Sequence, residues 1–194
     1  MELVPIFADP KPSIFAVLFD EEGDETEENV DEFRKAFSLW GDVEYLERFF
    51  EENRLDLESG FYGNMTVSEA VEVTLEEAQA LEDKLYELAE NRQFDGSDNL
   101  EAIFRSLDNN DYKTTSLQRS KAYGGRRKSW LRIYAIRIAP NLFVITGGAI
   151  KLTLQMGERA HTRKELMKLD RVRYFLKEEG LIDESDFERL ELDF

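Results

Sequence analysis

Trp130-Leu131-Arg132-Ile133-Tyr134-Ala135-Ile136-Arg137-Ile138 is the stretch that decides the fold. β-Branched and aromatic residues dominate it, and such side chains suit a pleated, half-buried surface. Apolar residues occupy both alternating parities. A strand with one wet face would alternate apolar with polar, so this pattern predicts a central strand covered on both faces. Ala139-Pro140-Asn141 supplies a turn. Leu142 to Ile145 reads as a second strand and Ala149 to Leu154 as a third, with Gly147-Gly148 between them predicting a bulge or sharp bend. The three segments read as an antiparallel meander.

Downstream, Thr162 and Glu165 fit a capping box, in which each side chain satisfies a free backbone donor at a helix start. The helix they open runs to about Glu179, with Leu166, Leu169, Val172 and Leu176 inward and Gly180 as C-cap. Ser185 and Glu188 suggest a short last helix in the acidic end. Upstream, Leu3 to Phe7 and Ile14 to Phe19 form an opening hairpin around Asp9-Pro10-Lys11-Pro12-Ser13. Residues 20–28 read as an acidic solvated loop without the ligand spacing of a calcium-binding loop. Phe33, Ala36, Phe37 and Trp40 share a helical face, as do Val43, Leu46, Phe49 and Phe50, and Gly41-Asp42 divides or kinks the pair. Leu55 to Met65 reads as a loop. Thr74 and Glu77 suggest a second capping box, before a helix with Leu81, Leu85 and Leu88 inward. Phe94 to Asp98 is a turn, and Leu100, Ile103, Phe104 and Leu107 mark a shorter helix.

The expected fold is therefore α+β: an antiparallel sheet, made of the N-terminal hairpin and the C-terminal meander, packed with several helices in a single domain spanning residues 1–194. Charge divides the chain differently. Residues 1–112 carry 8 basic and 31 acidic side chains, a net −23, and the acidic helical insert occupies roughly residues 20–112. Residues 113–177 carry 16 basic and 3 acidic, a net +13, and residues 178–194 carry 1 basic and 8 acidic, a net −7. An acidic chain repels phosphate, but a basic block gathered on one face attracts it. The alternative is that the block neutralises the helices around it.

Other chemistries are excluded or unsupported. There is no cysteine, hence no disulfide and no thiolate metal site. No run approaches the roughly 18 to 20 apolar residues of a membrane span, and the first residues lack the basic start of a secretory signal. A cytoplasmic protein with no membrane partner is expected. Thr146-Gly147-Gly148-Ala149-Ile150-Lys151 lacks the spacing and ending of a nucleotide phosphate loop. A single histidine rules out multi-histidine metal sites.

What remains is Gly124-Gly125-Arg126-Arg127-Lys128, a basic turn leading into the strand that carries Arg132, Tyr134 and Arg137, together with Lys151 in an apolar strand. Cations on strands can grip a phosphate or stabilise charge developing on one. Tyr134 would carry a proton only if its pKa were lowered, and His161 is a candidate acid or base near a helix start. The structural alternatives are arginines paired with the acidic helices, Lys151 guarding a sheet edge, and His161 as a surface loop residue.

The order of elements resembles the RelE/HigB-like toxin superfamily, best over residues 130–176. The resemblance is carried by Leu131-Arg132-Ile133-Tyr134, Phe143-Val144-Ile145-Thr146-Gly147, Ile150-Lys151-Leu152-Thr153 and His161-Thr162-Arg163-Lys164-Glu165-Leu166. Asp31 to Phe50 is similar to the family's first helices. The resemblance implies a metal-independent, cofactor-free endoribonuclease in which the RNA 2′-hydroxyl attacks the adjacent phosphate. Its implied partners are mRNA or the ribosome and a small helix-turn-helix antitoxin protein. By position, Arg132 and Lys151 would stabilise the pentavalent phosphate, with Tyr134, Arg137 and His161 as further catalytic candidates. Arg126, Arg127, Lys128, Arg163 and Lys164 would hold RNA. The chain is longer and more acidic than such toxins, and their lysine pair is a single lysine here. The alternative is a non-enzymatic protein-binding module on the same scaffold.

Overall fold

The computed structural model describes residues 1–6, 13–20, 30–59, 61–63, 65–90, 99–107 and 115–190. Six strands form one mixed sheet: β1 (Glu2–Pro5), β2 (Ile14–Leu18), β3 (Arg105–Ser106), β4 (Gln118–Tyr123), β5 (Leu131–Ala139) and β6 (Leu142–Ile150). Their spatial order is β1-β2-β6-β5-β4-β3. The opening hairpin forms as expected, with Leu3 opposite Val17. The purely antiparallel expectation fails at one seam: β2 pairs parallel to β6, with Ile14 opposite Phe143 and Ala16 opposite Ile145. Local sequence specifies strands, not which distant strand they meet.

The meander is also rearranged. Ala149 to Leu154 is not a third strand, because β6 runs unbroken through Gly147-Gly148. The glycines do not turn the chain; the irregularity is a bulge at Thr146, where Tyr134 faces Gly147 but Ala135 faces Ile145. The turn before β6 forms as expected, with Asn141 in the left-handed region at φ 61° and its Oδ1 accepting from the Leu100 amide at 2.9 Å. The expected helix over 100–107 shrinks to a single 3₁₀ turn, Leu100–Ala102, followed by β3.

Among the described residues six helices cover the sheet: α1 (Glu32–Gly41), α2 (Val43–Glu52), α3 (Arg54–Leu57), α4 (Val67–Glu90), α5 (Ala160–Glu178) and α6 (Glu184–Leu190). The covered-on-both-faces reading of β5 holds. Leu131, Ile133 and Ala135 pack with α1, α2 and α4, whereas Tyr134, Ile136 and Ile138 pack with α5 and α6. Asp42 ends α1 and caps α2, its side chain accepting from the Tyr45 amide, so the pair is two joined helices. The loop expected over 55–65 begins inside α3.

Three capping expectations are corrected. α4 starts a full two turns before Thr74, and its cap is the reciprocal Thr66–Glu69 pair, bonded at 2.7–3.3 Å. Thr74 and Glu77 are instead buried anchors: Trp130 donates its indole N–H to Thr74 at 3.0 Å, and Glu77 accepts from the Arg126 amide and the Ser129 hydroxyl. At α5, Arg159 is the cap residue and Glu165 turns inward. Gly180 closes α5 at φ 70°, with the Leu181 amide reaching back to Leu176 O. For α6 the capping side chains are Asp183 and Asp186, not Ser185 and Glu188. The acidic stretch 21–29, the turns at 9–12 and 94–98, residues 108–111 and the last four residues fall outside the described residues. Among the described residues no helix is long and apolar enough to cross a membrane.

Candidate anion-binding site

β4 and β5 pair so that Lys121 faces Tyr134 and Tyr123 faces Arg132, and Arg132 in turn faces Ala149 on β6. Alternation along the strands puts these side chains on the α5 side of the sheet. Lys151, whose amide extends the ladder to Trp130 O at 2.8 Å, follows at the end of β6. The result is a cluster of three cations: Lys121, Arg132 and Lys151.

None of the three has a carboxylate within ion-pair distance among the described residues. Arg132 donates to Ser129 O at 2.8 Å and Leu131 O at 2.7 Å, and its guanidinium carbon lies 4.0 Å from the Tyr123 ring centroid. Lys151 donates to Thr153 O at 2.8 Å and Leu154 O at 2.5 Å. Burial pushes the Lys151 pKa down, and repulsion from Arg132 and Lys121 adds to it. Burial likewise lowers that of Arg132. Backbone carbonyls, an aromatic face and the more distant Glu77 and Glu158 carboxylates soften this positive field without pairing with it. An anion placed among the three would gain charge-assisted hydrogen bonds and relieve their mutual repulsion.

The other expected site residues divide. Tyr134 is fully buried, and its hydroxyl has no hydrogen-bond partner among the described residues. Burial holds that hydroxyl well above its ordinary pKa, the opposite of what a proton acceptor needs. Arg137 is on the other face of the sheet, where its Nε donates to Glu101 at 2.9 Å beside a polar depression lined by Gln118, Ser120 and Phe143. Its structural alternative, pairing with the acidic half, is the one realised. His161 is not a free loop residue: its Nε2 is 2.9 Å from Ile150 O and its ring meets Phe49 edge-on at 5.3 Å. Arg126, Arg127 and Lys128 are exposed on the turn that Glu77 anchors, with Lys128 donating to Phe61 O at 2.7 Å. Arg163 bonds Gly157 O at 2.8 Å, and Lys164 borders a groove between α1 and α5.

Sequence reasoning missed Lys121 and Tyr123 because β4 was not read as a strand. Its buried parity is Gln118, Ser120 and Ala122, too polar to register as a core-facing row. The signal was on the opposite parity, where Arg119, Lys121 and Tyr123 recur every second residue.

The groove between α1 and α5 holds a second, contrasting cluster. Lys168 bridges Glu32 at 2.5 Å and Glu165 at 2.9 Å, joining the helix layers across β6. Gly147 makes this possible: a Cβ there would lie 2.0 Å from Glu165 Oε2. Burial raises the Glu165 pKa to about 7, outweighing its attraction to Lys168. Lys168 itself is raised, because two carboxylates outweigh its own burial. Among the described residues no group of three or more His, Asp or Glu side chains could hold a metal ion.

No protein-family model, no curated protein and no solved structure matches the chain.

Proposed function

We propose that the chain is a toxin-like endoribonuclease that grips an mRNA phosphodiester with Lys121, Arg132 and Lys151 and cleaves it by 2′-hydroxyl attack. The observation that carries this reading is the convergence of three cations that repel one another, none of them in ion-pair contact with a carboxylate among the described residues. A self-contained charge network would have paired them, as Arg137 with Glu101 and Arg159 with Asp56 are paired. The element order also suits the toxin resemblance, with a strand, helices, an antiparallel run and a last helix appearing as β2, α1 with α2, β4 to β6 and α5.

On this reading Arg132 and Lys121 hold the non-bridging oxygens, and Lys151 stabilises the negative charge that builds on the pentavalent phosphorus. The lowered pKa of Lys151 also suits it to protonate the leaving 5′-oxygen. Tyr134 and His161 are poor candidates to accept the 2′-hydroxyl proton, one kept protonated by burial and the other held against Ile150 O. That step is assigned to groups brought by a ribosome-bound substrate, which favours ribosome-dependent action. The same lack of a nearby base favours a second reading, a binding module that holds a polyanionic partner without cleaving it.

Induced expression of the wild-type chain is expected to arrest growth, with new mRNA 5′-ends detected by primer extension on ribosomes. Arg132→Ala or Lys151→Ala should relieve the arrest. Ribosome binding without new ends would leave the second reading; neither binding nor new ends would remove both.

A further inference from the structure

The same end of the sheet carries exposed aromatic rings. Tyr123 is 38% exposed and Phe61 is 47% exposed, in a protein that buries Trp40, Trp130, Phe33 and Phe50 almost completely. A lone surface aromatic needs no explanation. These two share three features that set them apart. Each lies against a cation: the Arg132 guanidinium is 4.0 Å from the Tyr123 centroid, and Lys128 Nζ is 5.0 Å from that of Phe61. Each is connected to the cation cluster, Tyr123 directly and Phe61 through Tyr62. Each is also held in place by its neighbours in the fold.

For Phe61 that support runs through Tyr62. The two rings meet edge-on at 4.8 Å, and Tyr62 packs edge-on against buried Trp130 at 5.2 Å. The Tyr62 hydroxyl donates to Lys151 O at 2.8 Å. Phe61 is thus tied through one residue to the backbone of a phosphate-gripping lysine. For Tyr123 the support is its place on β4 opposite Arg132. Rings preorganised beside a cation cluster lose little freedom on binding.

We infer that Tyr123 and Phe61 are stacking positions for unpaired nucleotide bases, so that the site takes single-stranded RNA and rejects duplex. The inference rests on the phosphate-gripping reading of Lys121, Arg132 and Lys151. Base faces are available for stacking only where the strand is unpaired, and alternation of cations with aromatic faces is the chemistry of single-strand recognition. Phe61 lies between α3 and α4, outside the stretches that carry the toxin resemblance, so the acidic half contributes a wall of the site.

The test measures binding of a short single-stranded RNA carrying 2-aminopurine, and of the same RNA in a duplex, to the full chain and to Tyr123→Leu, Phe61→Leu and Lys121→Met. Leucine keeps bulk at half-exposed positions while removing the aromatic face. The expected result is preference for the single strand, with 2-aminopurine quenching. Each leucine variant should weaken single-strand binding by about 5- to 150-fold and leave the slope of affinity against salt unchanged. Equal binding of single strand and duplex, with both leucine variants at wild-type affinity and Lys121→Met weakened, would overturn the stacking inference and leave the phosphate reading standing. No binding of either RNA by the wild-type chain would overturn both.

Discussion

At Gly147 on β6 the fold gathers Glu32, Lys168 and Glu165; further along the same strand, near Lys151, it gathers Lys121, Arg132 and Lys151. The first cluster is nearly dry, and a lysine sits between two carboxylates. The second is half-exposed and all of one sign; among the described residues carbonyls and a ring touch it, and Glu77 and Glu158 act on it only from beyond ion-pair distance. Desolvating a charge is tolerable when opposite charge and hydrogen bonds replace water. The first cluster meets that condition for Lys168, which two carboxylates answer inside the molecule, and it joins α1 to α5. The second does not meet it there, which is why a ligand is the natural completion.

The largest expected effect comes from breaking the first cluster. Lys168→Ala leaves Glu32 and Glu165 buried together without a cation, and should lower unfolding stability by about 3–5 kcal/mol in a denaturant titration. A loss below about 1 kcal/mol would mean that the bridge behaves like a surface pair.

Next in size is a pH effect. Glu165 is raised to about 7 in the folded chain, so the native state binds its proton more tightly than the unfolded state does. Its contribution to stability is present at the acid end and is lost as pH rises from the ordinary carboxylate range towards about 7. The groups that face it are Glu32 from α1, Tyr45 from α2, Lys164 and Lys168 from its own helix, and Tyr134 from β5. Glu165→Gln should flatten the stability profile between about pH 5 and 7, by an amount on the order of 3 kcal/mol. Identical slopes for wild type and variant in that window would contradict the assignment.

The smallest effect on stability is expected at the second cluster. Lys121→Met removes one member of a repelling trio and keeps its stem, so thermal stability should stay within about 0.5 kcal/mol of wild type or rise. A large loss would make Lys121 a structural residue and remove the contrast between the clusters.

How much of this was legible beforehand depended on the range of the signal. β5 was plain because apolar residues, β-branched and aromatic ones among them, filled both parities of a nine-residue strand. The opening hairpin, the α1–α2 break and the Gly180 cap rest on local chemistry and were readable too. The β2–β6 seam joins residues far apart in sequence, and no local pattern encodes it. Thr74 and Glu77 mimic a cap because the same donors and acceptors also serve as buried anchors for a turn. In the site, Arg132 and Lys151 stood out as charges in apolar strands. Arg137 stood out equally, yet alternation sends it to the opposite face and onto Glu101. Lys121 and Tyr123 were hidden by the polar inner row of β4.

The most direct test of the unpaired trio is the salt dependence of single-stranded RNA binding by the wild-type chain and by Lys121→Met. Each cation neutralising a phosphate contributes about −0.7 to the slope of log affinity against log salt, so three predict about −2. The account predicts that slope for the wild type and a shallower one, by about 0.7, for Lys121→Met. No measurable affinity at low salt, or the same slope in both proteins, would contradict it.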